Sequence, residues 1–170
     1  FSNGCLATLD VTYPSIPLFL IYNPELVRAM MRPLFAYARS AEWKGQPFAP
    51  HDCGCYPFCN GQVYGVADGI VDEEKQMPVE ECGNAILTMA AIHAVDSDRA
   101  FLEENKDLLS VWADYLAKYG YDPGNQLCTD DFAGHLAHNC NLSIKAIVAL
   151  GAYSKLFDEP RYMEIAKAMA

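Results

Sequence analysis

The chain has 170 residues, of which 52% are hydrophobic and 20% charged, enough for one domain with a real core. A net charge of −10 without any basic cluster argues against a nucleic-acid partner and against an anionic membrane surface. The longest apolar stretch, Ala85 to Val95, is too short to span a bilayer. The chain opens on Phe1 rather than Met and shows no signal peptide, so it reads as a piece of something longer.

Taken in order, TLDVTY near the start is a β-branched run that reads as extended. Pro14 to Tyr22 is apolar all round and reads as a short buried helix. Pro24 then opens a second helix to Arg39, with Glu25 in its first turn and Pro33 expected to kink it. That helix is amphipathic, with Leu26, Met30, Leu34 and Tyr37 on one face and Glu25, Arg28, Arg32 and Arg39 elsewhere. Ser40 to Gln76 is a long polar stretch of the kind that is functional or disordered. Its aromatics, Trp43, Phe48, Tyr56, Phe58 and Tyr64, argue for order. His51, Cys53, Cys55 and Cys59 crowd HDCGCYPFC, but their spacing fits no zinc motif, so no metal and no cofactor is expected. Free thiols are the simple reading, with Cys82 and Cys140 buried on apolar helices.

Met77 to Val95 organises the rest. Pro78 suits a first helical position, and Glu80 and Glu81 follow where the helix dipole favours negative charge. Beyond them no charge appears except the titratable His93, read as a core histidine, so this helix is buried on all sides. Glutamates are seldom buried without a partner or a task. Glu81, Asn84 and Thr88 share a face and form a polar stripe running inward. Ala100 to Tyr119 reads as one amphipathic helix presenting Leu108, Trp112, Tyr115 and Tyr119. After a second long loop with Asp130, Asp131, His135 and His138, Asn139 or Asn141 caps an apolar helix, Leu142 to Leu156. Pro160 starts the last helix.

An apolar helix is thus followed by an amphipathic one three times, with the apolar members starting roughly 60 residues apart. The expected fold is all-α: about three helical hairpins with long ordered loops, buried inner helices and amphipathic outer ones. In such a stack the inner-helix N-termini lie at one end. The polar segments before them then converge on one rim. They bring Asp10, Thr12 and Tyr13; then His51, Asp52, Glu80 and Glu81; then Asp130, Asp131, His135 and Asn139. Neighbouring axes lie about 8–10 Å apart, which suits one acid from each helix start facing a shared cleft. Glu81 and Asp131, then Glu80, Asp130 and Asp52, are the candidate catalytic acids. Tyr13, His51, Asn84, Asn139 and Lys145 are the candidate substrate-binding residues.

The segments TLDVTYPSIPLFLIYNPEL, PFAPHDCGCYP, MPVEECGN and DPGNQLCTDDFAGHLAHNCNLSIKAIVALGAYSKL resemble the glutaminase A family of filamentous fungi and gut bacteria. The resemblance implies about half of an (α/α)6 toroid of the six-hairpin glycosidase type. In the family this region follows a β-sandwich and precedes more of the toroid. It further implies a hydrolase and a secreted or periplasmic location. The chain departs from the family pattern at Cys53 and Cys55, where a Leu and a non-cysteine are expected. No catalytic role is carried over from the family.

Residue chemistry leaves three readings open. Amide hydrolysis of glutamine needs an activated nucleophile or water and a partner for the α-carboxylate, for which arginine is the natural choice. All five arginines fall on or beside predicted outer helices, and only Lys145 sits near an inner-helix start. Glycoside hydrolysis needs paired carboxylates and aromatic platforms, and the rim offers both. On residue chemistry alone the sugar reading is slightly preferred, whereas the resemblance points to glutamine. The third reading is a non-catalytic interaction module whose acids cap helices. The partners expected are a small-molecule substrate, together with either the rest of a longer polypeptide or a second copy covering the exposed inner-helix flank.

Overall fold

A computed structural model describes residues 4–63, 65–129, 132 and 134–170. The regular secondary structure of the described residues is helical apart from one small hairpin and isolated antiparallel bridges. Its helices are α1 (Leu9–Tyr22), α2 (Pro24–Ala38), α3 (Pro78–Asp96), α4 (Ala100–Glu104), α5 (Lys106–Tyr119), α6 (Cys140–Phe157) and α7 (Pro160–Met169). They pair as α1/α2, α3/α4–α5 and α6/α7. Helix α3 is central, with α1 on one flank, α6 on the other and α5 behind it. No described helix is long and apolar enough to cross a membrane.

The local signals place most helix ends. Asn23 caps α2 by accepting from the Glu25 N–H at 2.9 Å, and Pro24 takes the first helical position. Asn139 caps α6 in the same way through the Asn141 N–H, at 3.0 Å. Pro78 and Pro160 open α3 and α7. Ser97 and Asp158 close α3 and α6 in the left-handed conformation.

Several expectations are corrected. TLDVTY is helical, because α1 already begins at Leu9, with the Thr12 N–H bonded to the Thr8 carbonyl at 2.9 Å. Pro14 and Pro17 lie inside it, so two rungs of its ladder have no N–H donor. The run 100–119 is not one helix. Asn105 separates α4 from α5, buried, with its Nδ2 donating to the Phe101 carbonyl at 2.9 Å and its Oδ1 accepting from Arg39 at 2.9 Å. The buried face of α5 is Leu109, Trp112, Ala113 and Leu116, one residue on from the expected stripe at Leu108, and Tyr119 is exposed. On α2 Leu34 and Tyr37 are buried as expected, together with Val27, Met31, Phe35 and Ala38, whereas Leu26 is exposed. Arg28 is buried there as well, because Asp96 and Asp98 at the end of α3 neutralise it. Helix α6 is apolar but not buried on all sides, since Ile144 and Val148 are exposed. Cys140 is exposed, and the buried Nδ1 of His93 has no hydrogen-bond partner.

The first long loop is ordered by two of its aromatics. Trp43 and Phe48 are buried edge to face, 5.6 Å apart, and the Trp43 indole N–H donates to the Phe48 carbonyl at 3.1 Å. Tyr56 and Phe58 are exposed, and Tyr64 lies outside the described residues. Val66–Ala67 pairs with Ile70–Val71 across Asp68-Gly69, both at positive φ, as a two-residue hairpin turn requires.

Candidate active site

The site starts from a short antiparallel pairing. Residues 4–9 run against residues 51–56: Leu9 N–H donates to the His51 carbonyl at 2.8 Å, and Cys53 N–H to the Leu6 carbonyl at 3.1 Å. Gly54 lets residues 58–61 fold back closely onto this segment. Its φ is +124°, and a Cβ there would lie 2.5 Å from the Gly61 carbonyl oxygen. The pairing sets Asp10, in the first turn of α1, beside His51.

His51 is the centre of a buried cluster. Its Nδ1 lies 2.8 Å from Asp52 Oδ2, and its Nε2 lies 3.2 Å from Asp10 Oδ1. The other Asp52 oxygen accepts from the Gly54 N–H at 2.8 Å. From the N-terminal turn of α3 comes Glu81, wholly buried. Its Oε2 accepts from Asn84 Nδ2 at 3.0 Å, while its Oε1 has no hydrogen-bond partner. Donor atoms of Asp10, His51 and Glu81 lie within 4.8 Å of one another. Burial opposes charge on His51, but Asp10 and Asp52, with the field of Glu81, outweigh it and raise its pKa to about 10. Burial pushes the Glu81 carboxyl well above the usual carboxylate range. His51 opposes that shift, and Asp10 adds to it. A divalent cation taking mixed nitrogen and oxygen ligands would find its donors in Asp10, His51 and Glu81.

In front of this cluster lies a cleft of about 460 Å³. Asp10, Tyr13, Glu80, Cys128, Thr129, Asn139 and Lys145 are among its lining residues, so the starts of α1, α3 and α6 meet there. The Lys145 ammonium bonds to Glu80 Oε1 and, at 2.7 Å, to Asn84 Oδ1, and it sits 4.9 Å from the Tyr13 ring centre. Glu80 Oε2 accepts from the Thr129 N–H at 3.3 Å. Lys145 reaches these partners across Gly83, where a Cβ would lie 2.7 Å from Lys145 Cγ.

The sequence candidates therefore divide into two layers. Tyr13, Glu80, Asn139 and Lys145 line the cleft, while His51, Asp52, Glu81 and Asn84 stand buried behind it. Asp130 and Asp131 lie outside the described residues, and so does their expected pairing with Glu80 or Glu81. Sequence reasoning places Asp10 on the rim but gives it no catalytic or binding role. An acid inside an otherwise uncharged run was the available signal. It also passed over Gly83, whose signal was a glycine inside an apolar helix. No arginine lines the cleft among the described residues. Arg32 pairs with Glu25, Arg39 with Asp107, Arg99 with Glu103 and Arg161 with Asp114.

The chain is 37% identical over 152 residues to glutaminase A of Aspergillus oryzae, covering 89% of this chain and 21% of that protein. It is 29% identical to a probable glutaminase of Arthroderma benhamiae, covering 91% of this chain and 24% of the relative. The chain thus spans about a fifth to a quarter of the length of these relatives. No solved structure is a significant match. The glutaminase A six helical-hairpin domain matches residues 1–170, and the chain belongs to that family.

Proposed function

We propose that the chain is part of a hydrolase that splits the side-chain amide of L-glutamine into glutamate and ammonia. The observation that carries this reading is the buried Asp10–His51–Asp52–Glu81 cluster, set behind a cleft lined by Asp10, Glu80 and Lys145. Amide hydrolysis adds water to the carbonyl carbon and delivers a proton to the departing nitrogen. Glu81, whose carboxyl burial pushes well above the usual carboxylate range, is the proposed proton donor. Asp10, which reaches the cleft, is the proposed base for the attacking water. Lys145 is the one cation among the described cleft-lining residues and takes the α-carboxylate, while Glu80 takes the α-ammonium group. The same reading keeps Asp131 and Asp130 as candidate catalytic acids. The names of the relatives support glutamine as the substrate.

A second reading, glycoside cleavage, rests on a specific observation. The described cleft has no arginine for an amino-acid carboxylate but offers acids and the Tyr13 ring. Exposed apolar residues of α1 and α6 support a chain that works within a longer polypeptide, with a second copy as the other candidate cover: Leu18, Ile21 and Tyr22, and, at the cleft, Ile144 and Val148. A secreted or periplasmic location belongs to the same proposal. The deciding assay compares ammonia release from glutamine with reducing-end release from oligosaccharides, using the full-length parent. Ammonia release that is lost in Glu81→Gln supports the first reading. Sugar release without ammonia overturns it in favour of the second.

A further inference from the structure

The cysteines of HDCGCYPFC have no part in the chemistry proposed above, yet the fold gives two of the chain's seven a specific relation. Cys5 and Cys55 face each other across the antiparallel bridge that holds residues 4–9 against 51–56. The hydrogen bonds define which kind of pair this is. Leu6 N–H donates to the Gly54 carbonyl at 2.8 Å, and Tyr56 N–H donates to the Gly4 carbonyl at 2.9 Å. The bonds thus flank the two cysteines instead of joining them, which makes Cys5 and Cys55 a non-hydrogen-bonded pair. In such a pair the Cα atoms lie about 4.5 Å apart, and the side chains leave the sheet on the same face. That separation is inside the range of about 4.4–6.8 Å that a disulfide spans without backbone movement. The two thiols are also within hydrogen-bonding reach of each other.

We propose that Cys5 and Cys55 are an oxidative cross-linking site, closed by thiol–disulfide exchange with a small-molecule or protein disulfide donor. Cys55 is half-exposed and Cys5 buried, so the order of events follows from access. The Cys55 thiolate attacks one donor sulfur, the donor S–S bond breaks and one donor thiol leaves. The Cys5 sulfur then attacks Cys55 Sγ, the mixed disulfide breaks and the second donor thiol leaves. Two protein thiols are oxidised, one donor disulfide is reduced to two thiols, and the two protons pass to those thiols. Burial pushes the Cys5 thiol up to about 12, with Asp52 and Cys55 adding to the shift, which makes Cys5 the resolving and not the initiating partner. The bond would tie the strand carrying His51 and Asp52 to the segment that leads into Asp10. It thereby clamps the two backbone pieces on which the buried cluster is built.

The test is to equilibrate the purified protein with oxidised glutathione, alkylate free thiols and map the peptides without reduction. The expected result is loss of two hydrogens, a linked Cys5–Cys55 peptide pair and no alkylation at Cys5. Closing a loop of about 50 residues should raise Tm by about 10 °C over the reduced protein. That gain should vanish in Cys55→Ser, and also in Cys5→Ser, which guards against one variant failing to fold. Cys5 alkylated in the oxidised protein, Cys5 bonded to any other cysteine, or a glutathione adduct left unresolved on Cys55 would each overturn the proposal. A Cys53–Cys59 bond with Cys5 still alkylatable overturns it as well.

Discussion

Two sets of acids in this molecule meet a basic partner in opposite settings. On the outer helices, Arg39–Asp107, Arg99–Glu103 and Arg161–Asp114 join side chains that are mostly well exposed. At the inner-helix starts, Asp10, His51, Asp52 and Glu81 are withdrawn from water. Exposed pairs contribute about 0–1 kcal/mol, because water screens them and each side chain gives up rotamer freedom. Buried charges carry a desolvation penalty of several kcal/mol each, so a fold that concentrates them at one point does so against its own stability. The outer pairs dress a surface, and the inner cluster is where function is to be sought.

The largest expected effect is on turnover. Glu81→Gln should lower kcat of the full-length parent by about a thousandfold or more, with stability unchanged or raised. The sign follows from the Glu81 pKa, which burial raises in the fold. Ionisation above the ordinary value near 4.5 works against the folded state, and glutamine removes that penalty. Asp131→Asn is expected to lose turnover in the same way. Ammonia release, read beside a denaturant midpoint, checks both, and an active Glu81→Gln enzyme would break the comparison.

Next comes the cost of removing the central cation. His51→Gln leaves Asp10 and Asp52 facing each other without their shared partner and should destabilise by about 3–5 kcal/mol in urea. The pH dependence sharpens this. The His51 pKa is raised from 6.5 to about 10, so its contribution is whole below about 6.5 and is lost as pH rises through 10. Wild-type stability should therefore decline over that interval, and His51→Gln should flatten the decline. Parallel curves for the two proteins would show that the cluster is not held by a charged histidine.

A smaller effect is expected at Gly83. Ala there meets Lys145 Cγ and should cost about 1–3 kcal/mol. It should also raise KM more than it lowers kcat, because the ammonium is displaced from Glu80 and Asn84. Equal loss in both constants would remove Lys145 from substrate binding. Smallest of all, Arg161→Ala should change stability by less than about 1 kcal/mol, since both partners of its ion pair are well exposed. A loss as large as that of His51→Gln would erase the distinction between surface and interior pairs.

Local rules account for most of the architecture. Asn23, Pro24, Pro78, Asn139 and Pro160 mark helix starts by caps and missing N–H groups, which depend on residues within one turn. Glu80 and Glu81 stood out for a related reason: acids at the head of an uncharged helix are visible in a window of a few residues. The alternation of apolar and amphipathic helices likewise needs only periodicity, and it foretold three hairpins.

What the chain order could not reveal is who meets whom. Asp10 joins His51 through backbone pairing between segments some forty residues apart, and α1 begins where that pairing ends. Arg28 is buried only because Asp96 and Asp98 arrive from another helix, and the break at Asn105 exists because Arg39 meets its side chain. Lys145 reaches Glu80 because Gly83 removes the Cβ that would block it. Caps and periodicity are short-range and can be read along the chain. Desolvation, ion pairing and close backbone approach depend on distances in space, so only the tertiary structure decided the site.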